Sequence, residues 1–154
     1  MKHEDIIKKF GIAFDYHKED YDRNREDYEF SFGDQWPEDI RTDRENDGRP
    51  CLTENRLLPF INQVVNNIRQ SRPSVIVKPV DSGADIDTAE VYEGLIRNIQ
   101  NRSDADSVYD TAAFNAVAGG MGWIRLGTEY SDYKSFDQDI TVDRILNPYS
   151  VLLD

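Results

Sequence analysis

Phe10, Phe14, His17, Tyr21 and Tyr28 recur at steps of four, three, four and seven residues, which is the period of one helix face. The helix that carries this stripe is long and densely charged, because residues 1–50 hold fifteen acidic and nine basic side chains. Rings so widely spaced cannot build a core of their own, so the helix must lie against something, either the domain that follows or a neighbouring subunit. Gly33 and Pro37 end the pattern around Trp36, and the polar, turn-rich stretch from Glu38 to Gly48 reads as a flexible connection.

Order resumes where Thr53 or Asn55 can cap a helix whose apolar positions are Leu57, Ile61, Val64 and Ile68, with Pro59 in its first turn and Ser71-Arg72-Pro73 at its end. Val75-Ile76-Val77 is β-branched throughout and reads as a short strand ending near Pro79. After a polar loop from Asp81 to Ile86, Asp87 and Glu90 have capping-box spacing, and Tyr92, Leu95, Ile96 and Ile99 form the buried face of the next helix. Ser103 or Asp104 caps a further helix, in which Tyr109, Ala112, Ala113, Ala116 and Val117 share a side narrow enough for close packing, and Gly119-Gly120 stops it. From Trp123 the period falls to two. Ile124, Leu126 and Tyr130 face away from Arg125 and Glu129, and Ile140 and Val142 alternate with Asp139, Thr141 and Asp143, which predicts a hairpin with one wet face. The fold class is therefore α+β: a long charged N-terminal helix, then several helices on a small mixed or antiparallel sheet with a β-hairpin near the C-terminus. Two parts are expected, the charged helix and linker at 1–48 and an α+β region at 49–154. Val151-Leu152-Leu153 opens an apolar run cut at Asp154, so the chain is expected to be a truncated piece of a longer polypeptide.

Few chemistries survive inspection of the residues. With 30 Asp and Glu against 18 Lys and Arg, the net charge of -12 opposes high-affinity wrapping of nucleic acid. No apolar run is long enough to span a bilayer, and Met1-Lys2-His3-Glu4-Asp5 lacks the apolar segment of a secretory leader. One cysteine, Cys51, and two histidines, His3 and His17, can form neither a disulfide nor a Cys/His zinc cage, and they fit a reducing cytoplasm. Asp43-Arg44-Glu45-Asn46-Asp47-Gly48 with Glu54 has the ligand spacing of a calcium loop, but Glu45 is too long, Pro50 removes an N–H, and a solvated acidic turn is the better reading. Gly119, Gly120, Gly122 and Gly127 follow a helix where a phosphate cradle would precede one. Asp139 and Asp143 read as wet strand positions, and Arg69, Arg72 and Lys78 as a basic cluster paired with nearby acids. No catalytic residue, cofactor or metal site is assigned, and the chain reads as no enzyme.

Several segments taken together resemble the N-terminal region of portal proteins from P22-like, short-tailed bacteriophages. They are Gly33-Asp34-Gln35-Trp36, Arg49-Pro50-Cys51-Leu52-Thr53-Glu54-Asn55-Arg56-Leu57, Val64-Val65-Asn66-Asn67-Ile68-Arg69-Gln70-Ser71-Arg72-Pro73, Val77-Lys78-Pro79, Thr88-Ala89-Glu90, Asp104-Ala105-Asp106 with Tyr109-Asp110, Asp137-Gln138-Asp139-Ile140 and Asn147-Pro148. The resemblance implies a subunit of a dodecameric ring at one capsid vertex, in the virion, assembled in the bacterial host cytoplasm. Double-stranded DNA would pass through the ring in packaging and ejection without specific binding, driven by a terminase motor, and tail or adaptor proteins would attach at this head-tail connection. Residues 49–154 would belong to the wing-like periphery. Under this reading Phe10, Phe14, Tyr21, Tyr28 and Trp36 are the candidate subunit contacts, since large aromatics in linker-like sequence need a partner. The competing expectation is an acidic, monomeric adaptor that binds another protein or mimics DNA charge.

Overall fold

The computed structural model describes residues 3–72, 74–80 and 85–152. Five helices and a hairpin follow one another as α1 (His3–Ser31), α2 (Glu38–Asn46), α3 (Leu57–Gln70), α4 (Ile86–Arg102), α5 (Ala105–Gly119), β1 (Ile124–Tyr130) and β2 (Gln138–Arg144), with a 3₁₀ turn at Pro148–Ser150. The expected α+β class with a long first helix and a C-terminal hairpin is what the chain adopts. α5 is the hub, touching α1, α3, α4 and both strands. Its alanines let neighbours approach closely on two sides. On one side Ala118 joins Ile61 and Val65, backed by Tyr28, Phe114 and Val117. On the other, Ala105 and Val108 meet Val142, with Ile99 and Tyr109 against them.

The inward arcs of the helices differ from those expected. α3 buries Ile61 and Val65, whereas Leu57, Val64 and Ile68 stay 39%, 45% and 43% exposed. α4 buries only Ala89, leaving Ile96 and Ile99 half-covered and Tyr92 and Leu95 exposed. In α5 the buried positions are Ala105, Val108, Asn115, Ala118 and Gly119, while Ala116 faces solvent. Each of these helices is apolar around more than one arc, and the arc that turns inward is the one α5 or its neighbours reach.

Two helix ends explain the first fifty residues. The N–H groups of Gly33 and Asp34 donate back to the carbonyls of Phe30 and Glu29 at 3.1 and 3.0 Å, and those of Gly48 and Arg49 donate to Glu45 and Arg44 at 3.0 and 2.8 Å. Both are Schellman closures, which require a left-handed residue, and φ is +106° at Gly33 and +69° at Gly48. Glu38 to Asn46 is therefore a helix rather than a flexible connection, with Glu38 and Asp39 favourably placed at its positive end. The same closure removes the calcium reading, because Asp43 to Asn46 are helical and Gly48 serves as a helix stop.

Asn55 supplies the cap expected before α3. Its Oδ1 accepts from the N–H groups of Leu57 and Leu58 at 3.1 and 3.4 Å, and its Nδ2 donates to the Ser31 carbonyl at 2.8 Å, tying the end of α1 to the start of α3. α4 starts one residue before the expected capping box, with the Asp85 carboxylate accepting from the Asp87 N–H at 3.3 Å. Val75 to Val77 is not a strand, since it pairs with none of the described residues. Pro73 and residues 81–84 of the expected loop lie outside the described residues, as do Leu153 and Asp154.

β1 and β2 pair antiparallel with Arg125 opposite Asp143 and Glu129 opposite Asp139. Arg125 bonds Asp143 at 2.9 Å, and Arg102 reaches from α4 to Asp139 at 2.6 Å, which relieves the like-charge pair with Glu129. The two aspartates are thus held by arginines. On the other face only Val142 is buried, and Leu126, Tyr130 and Ile140 remain more than half exposed.

Candidate subunit-contact surface

At about 1.5 Å per residue, the 29 residues of α1 make a rod of about 43 Å. Its two halves have different surroundings. Tyr21, Asn24, Tyr28 and Ser31 share one face and seat the C-terminal half. The Tyr21 hydroxyl donates to the Val151 carbonyl at 2.7 Å, and its ring meets Tyr149 edge-on. Gly119 of α5 lies so near Tyr28 and the Asn24 carbonyl that a Cβ there would stand 3.1 and 3.3 Å from them. The Ser31 hydroxyl bonds the Tyr28 carbonyl at 2.7 Å and is itself buried.

The N-terminal half carries the same face onward with no cover among the described residues. Ile6, Ile7, Phe10 and Phe14 are 51%, 57%, 58% and 45% exposed, and the Phe10 and Phe14 rings lie parallel within 8° at 6.3 Å. The expected stripe is therefore divided: Tyr21 and Tyr28 pack within the chain, while Phe10 and Phe14 stand free of it. Sequence reading missed Ile6 and Ile7, which extend the stripe by one turn. Replacing Tyr21 by phenylalanine removes one part-buried hydrogen bond and is expected to cost about 1 kcal/mol in a urea titration.

Trp36 is half-buried. Its Nε1 donates to the Leu52 carbonyl at 3.3 Å, and the Arg44 guanidinium sits 4.9 Å above its ring. Arg41 donates to Asp34 and also pairs with Glu38, and its hydrogen bond to Asp34 raises the Arg41 pKa further above its ordinary range. The turn is thus tied back across α2, and the indole stays partly exposed.

Most of the residues that carry the family resemblance serve as architecture. Gln35 bonds the Phe30 carbonyl at 3.4 Å, Arg49 pairs with Asp47 at 3.4 Å, and the Pro50 carbonyl accepts from Arg44 at 3.0 Å. Arg69 and Arg72 converge on Asp110, the former at 2.9 Å, and Arg72 also holds Asp106, so α3 is latched to α5. Asn147 accepts from the Tyr149 N–H at 3.0 Å and Pro148 is buried. Pro73 is outside the described residues. Asp110→Asn leaves two guanidiniums facing a neutral amide. Because the Asp110 side chain is 25% exposed, solvent screens part of the loss and a drop of about 1–2 kcal/mol is expected in chemical denaturation.

Hydrogen bonding to Asp139 raises Arg102, and burial raises Tyr149, whose hydroxyl has no hydrogen-bond partner among the described residues. Both directions reinforce the charge state these groups already hold at neutral pH and set up no acid–base chemistry. Among the described residues there is no cluster of three metal-capable side chains and no helix apolar enough to cross a membrane.

The chain exposes 12,097 Å² of surface, against about 8,000 Å² for a compact folded monomer of 17.8 kDa. The excess goes with the bare face of α1 and with exposed apolar residues on α3, α4 and the hairpin. No curated protein and no solved structure matches it. The model of the phage P22-like portal protein family matches residues 7–154. A match over nearly the whole length shows that the chain belongs to the phage P22-like portal protein family.

Proposed function

We propose that the chain is a structural part of a homo-oligomeric portal ring, with the bare half of α1 and the Trp36 turn as subunit contacts. The carrying observation is the face shared by Phe10, Phe14, Tyr21 and Tyr28: its C-terminal half seats on α5, and among the described residues nothing covers its N-terminal half. Membership of the portal family supports the wider reading. The ring would be dodecameric, would sit at one capsid vertex of the virion after assembly in the host cytoplasm, and would pass double-stranded DNA during packaging and ejection. A terminase motor and tail or adaptor proteins would be its other partners, and no bond would be made or broken by the chain itself. Residues 49–154 would lie in the wing-like periphery. A net charge of -12 suits a conduit, because each phosphate neutralised by Lys or Arg would add a salt-dependent hold on the DNA.

Electron microscopy of the full-length protein is expected to show closed rings with a central channel. Phe10→Glu together with Phe14→Glu should reduce assembly at least tenfold while helicity by circular dichroism stays unchanged, since both rings are exposed in the single chain. A full-length protein that stays monomeric at high concentration would overturn the ring and favour the acidic adaptor.

A further inference from the structure

We infer that the turn at residues 147–151 is a latch on α1. It sets how much of that helix the rest of the chain holds: as far as Tyr21 when the latch is closed, and only as far as Tyr28 when it is open. The inference does not depend on the ring, because it follows from how differently the two tyrosines are held.

Tyr28 is held by α3 and α5. Its ring packs on Ile61, Val65 and Ala118, and Gly119 comes so near that a Cβ there would stand 3.1 Å from it. Beside it the Asn24 carboxamide meets Gly120, and the Ser31 carbonyl accepts from Asn55 at 2.8 Å. Apolar burial, close backbone packing and a hydrogen bond between elements act together at this seat.

Tyr21 has a different support. It is 8% exposed, its hydroxyl donates to the Val151 carbonyl at 2.7 Å, and its ring meets Tyr149 edge-on at 6.4 Å. The turn that supplies both contacts is wired to itself. Asn147 Oδ1 accepts from the Tyr149 N–H at 3.0 Å, the Ser150 hydroxyl donates to the Asn147 carbonyl at 2.7 Å, and the Val151 N–H donates to the Pro148 carbonyl at 3.4 Å. Among the described residues, the Tyr21 hydroxyl makes the one hydrogen bond that joins this turn to another element. Ile145 and Leu146 alone connect it to the end of β2, so it can swing as a unit with its internal bonds intact.

Closure is also opposed from within. The Tyr149 hydroxyl is buried with no hydrogen-bond partner among the described residues, and a hydroxyl taken from water without compensation disfavours the state that buries it. Opening returns it to water. A hydrogen bond and a ring contact hold the latch shut while this hydroxyl pushes against them, whereas nothing comparable opposes the seat of Tyr28. Among the described residues, none of α1 before Tyr21 is buried, so Tyr21 is where the free arm begins. Opening moves that point to Tyr28, seven residues or about 10 Å along the helix. Whatever displaces Val151 lengthens the free arm by two turns, and by linkage whatever binds the freed turns holds the latch open.

Hydrogen exchange of the full-length protein, resolved into peptides over residues 14–22 and 24–31, tests the latch with paired Tyr→Phe changes. Tyr21→Phe removes the closing bond and should speed exchange over 14–22 about fivefold while 24–31 is unchanged. Tyr149→Phe removes only the unpartnered hydroxyl and should slow exchange over 14–22 about fivefold. Tyr16→Phe, at a position 82% exposed, is the control and should alter neither peptide. Equal acceleration of both peptides by Tyr21→Phe would show that α1 is held as one body and would overturn the latch. So would exchange over 14–22 that Tyr21→Phe leaves unchanged, or that Tyr149→Phe does not slow.

Discussion

Gly122→Ala is expected to remove about 3 kcal/mol or more of folding stability. A Cβ built at Gly122 would lie 1.9 Å from the carbonyl oxygen of Ala112, 2.7 Å from its carbonyl carbon and 3.2 Å from its Cα. All three are backbone atoms of α5, so no side-chain rotation relieves the overlap. Either α5 or the segment leading into β1 must move, and that segment holds the hairpin against Ala105 and Val108. Overpacking costs typically about 1–3 kcal/mol where side chains can adjust, and a backbone clash lies at or beyond the upper end. Against a total stability of about 5–15 kcal/mol the loss is severe. Gly94→Ala is the control: α4 has nothing within 4 Å of that position, and alanine there should raise stability by about 0.5–1 kcal/mol. An unchanged urea midpoint for Gly122→Ala would show that α5 and the entry to β1 do not pack this way.

Local signals in the sequence carry the elements well, and tertiary choices less so. Gly33 and Gly119-Gly120 stop helices because their requirements are local, and the change of period at Trp123 marks the hairpin for the same reason. Gly48 shows the limit. In Asp43-Arg44-Glu45-Asn46-Asp47-Gly48 a calcium loop and a Schellman closure ask for the same glycine, and only the hydrogen bonds from Gly48 and Arg49 to Glu45 and Arg44 separate them. Val75 to Val77 shows another: three β-branched residues favour extended backbone, but a strand also needs a partner edge, which propensity does not supply. The candidate contact surface was half legible. Phe10, Phe14, Tyr21 and Tyr28 lie on one face by spacing alone, yet spacing does not tell that Val151 and Tyr149 return to cover Tyr21 and leave Phe10 bare. The network of Arg69, Arg72 and Asp110 joins residues far apart in the chain, so only the general expectation of acidic partners was available.

Ile61→Ala is expected to cost about 3 kcal/mol, whereas Phe60→Ser, one residue away, should change single-chain stability by less than about 1 kcal/mol. Ile61 is 6% exposed in the cluster with Val65 and Ala118, and truncating it leaves a cavity under Tyr28 and Phe114. Phe60 is the larger ring and by size alone would be ranked the more damaging loss, but at 65% exposure it has little burial to lose. The cavity also loosens α1, because Tyr28 rests on the same cluster, so hydrogen exchange from Asn24 to Ser31 should accelerate in Ile61→Ala and not in Phe60→Ser. One helix turn therefore separates two kinds of apolar residue: those facing α5 hold the chain together, and those facing outward add little to its folding. Equal urea midpoints for the two variants would mean that Phe60 and Ile61 are buried alike, and the division between an inward and an outward face of α3 would fall.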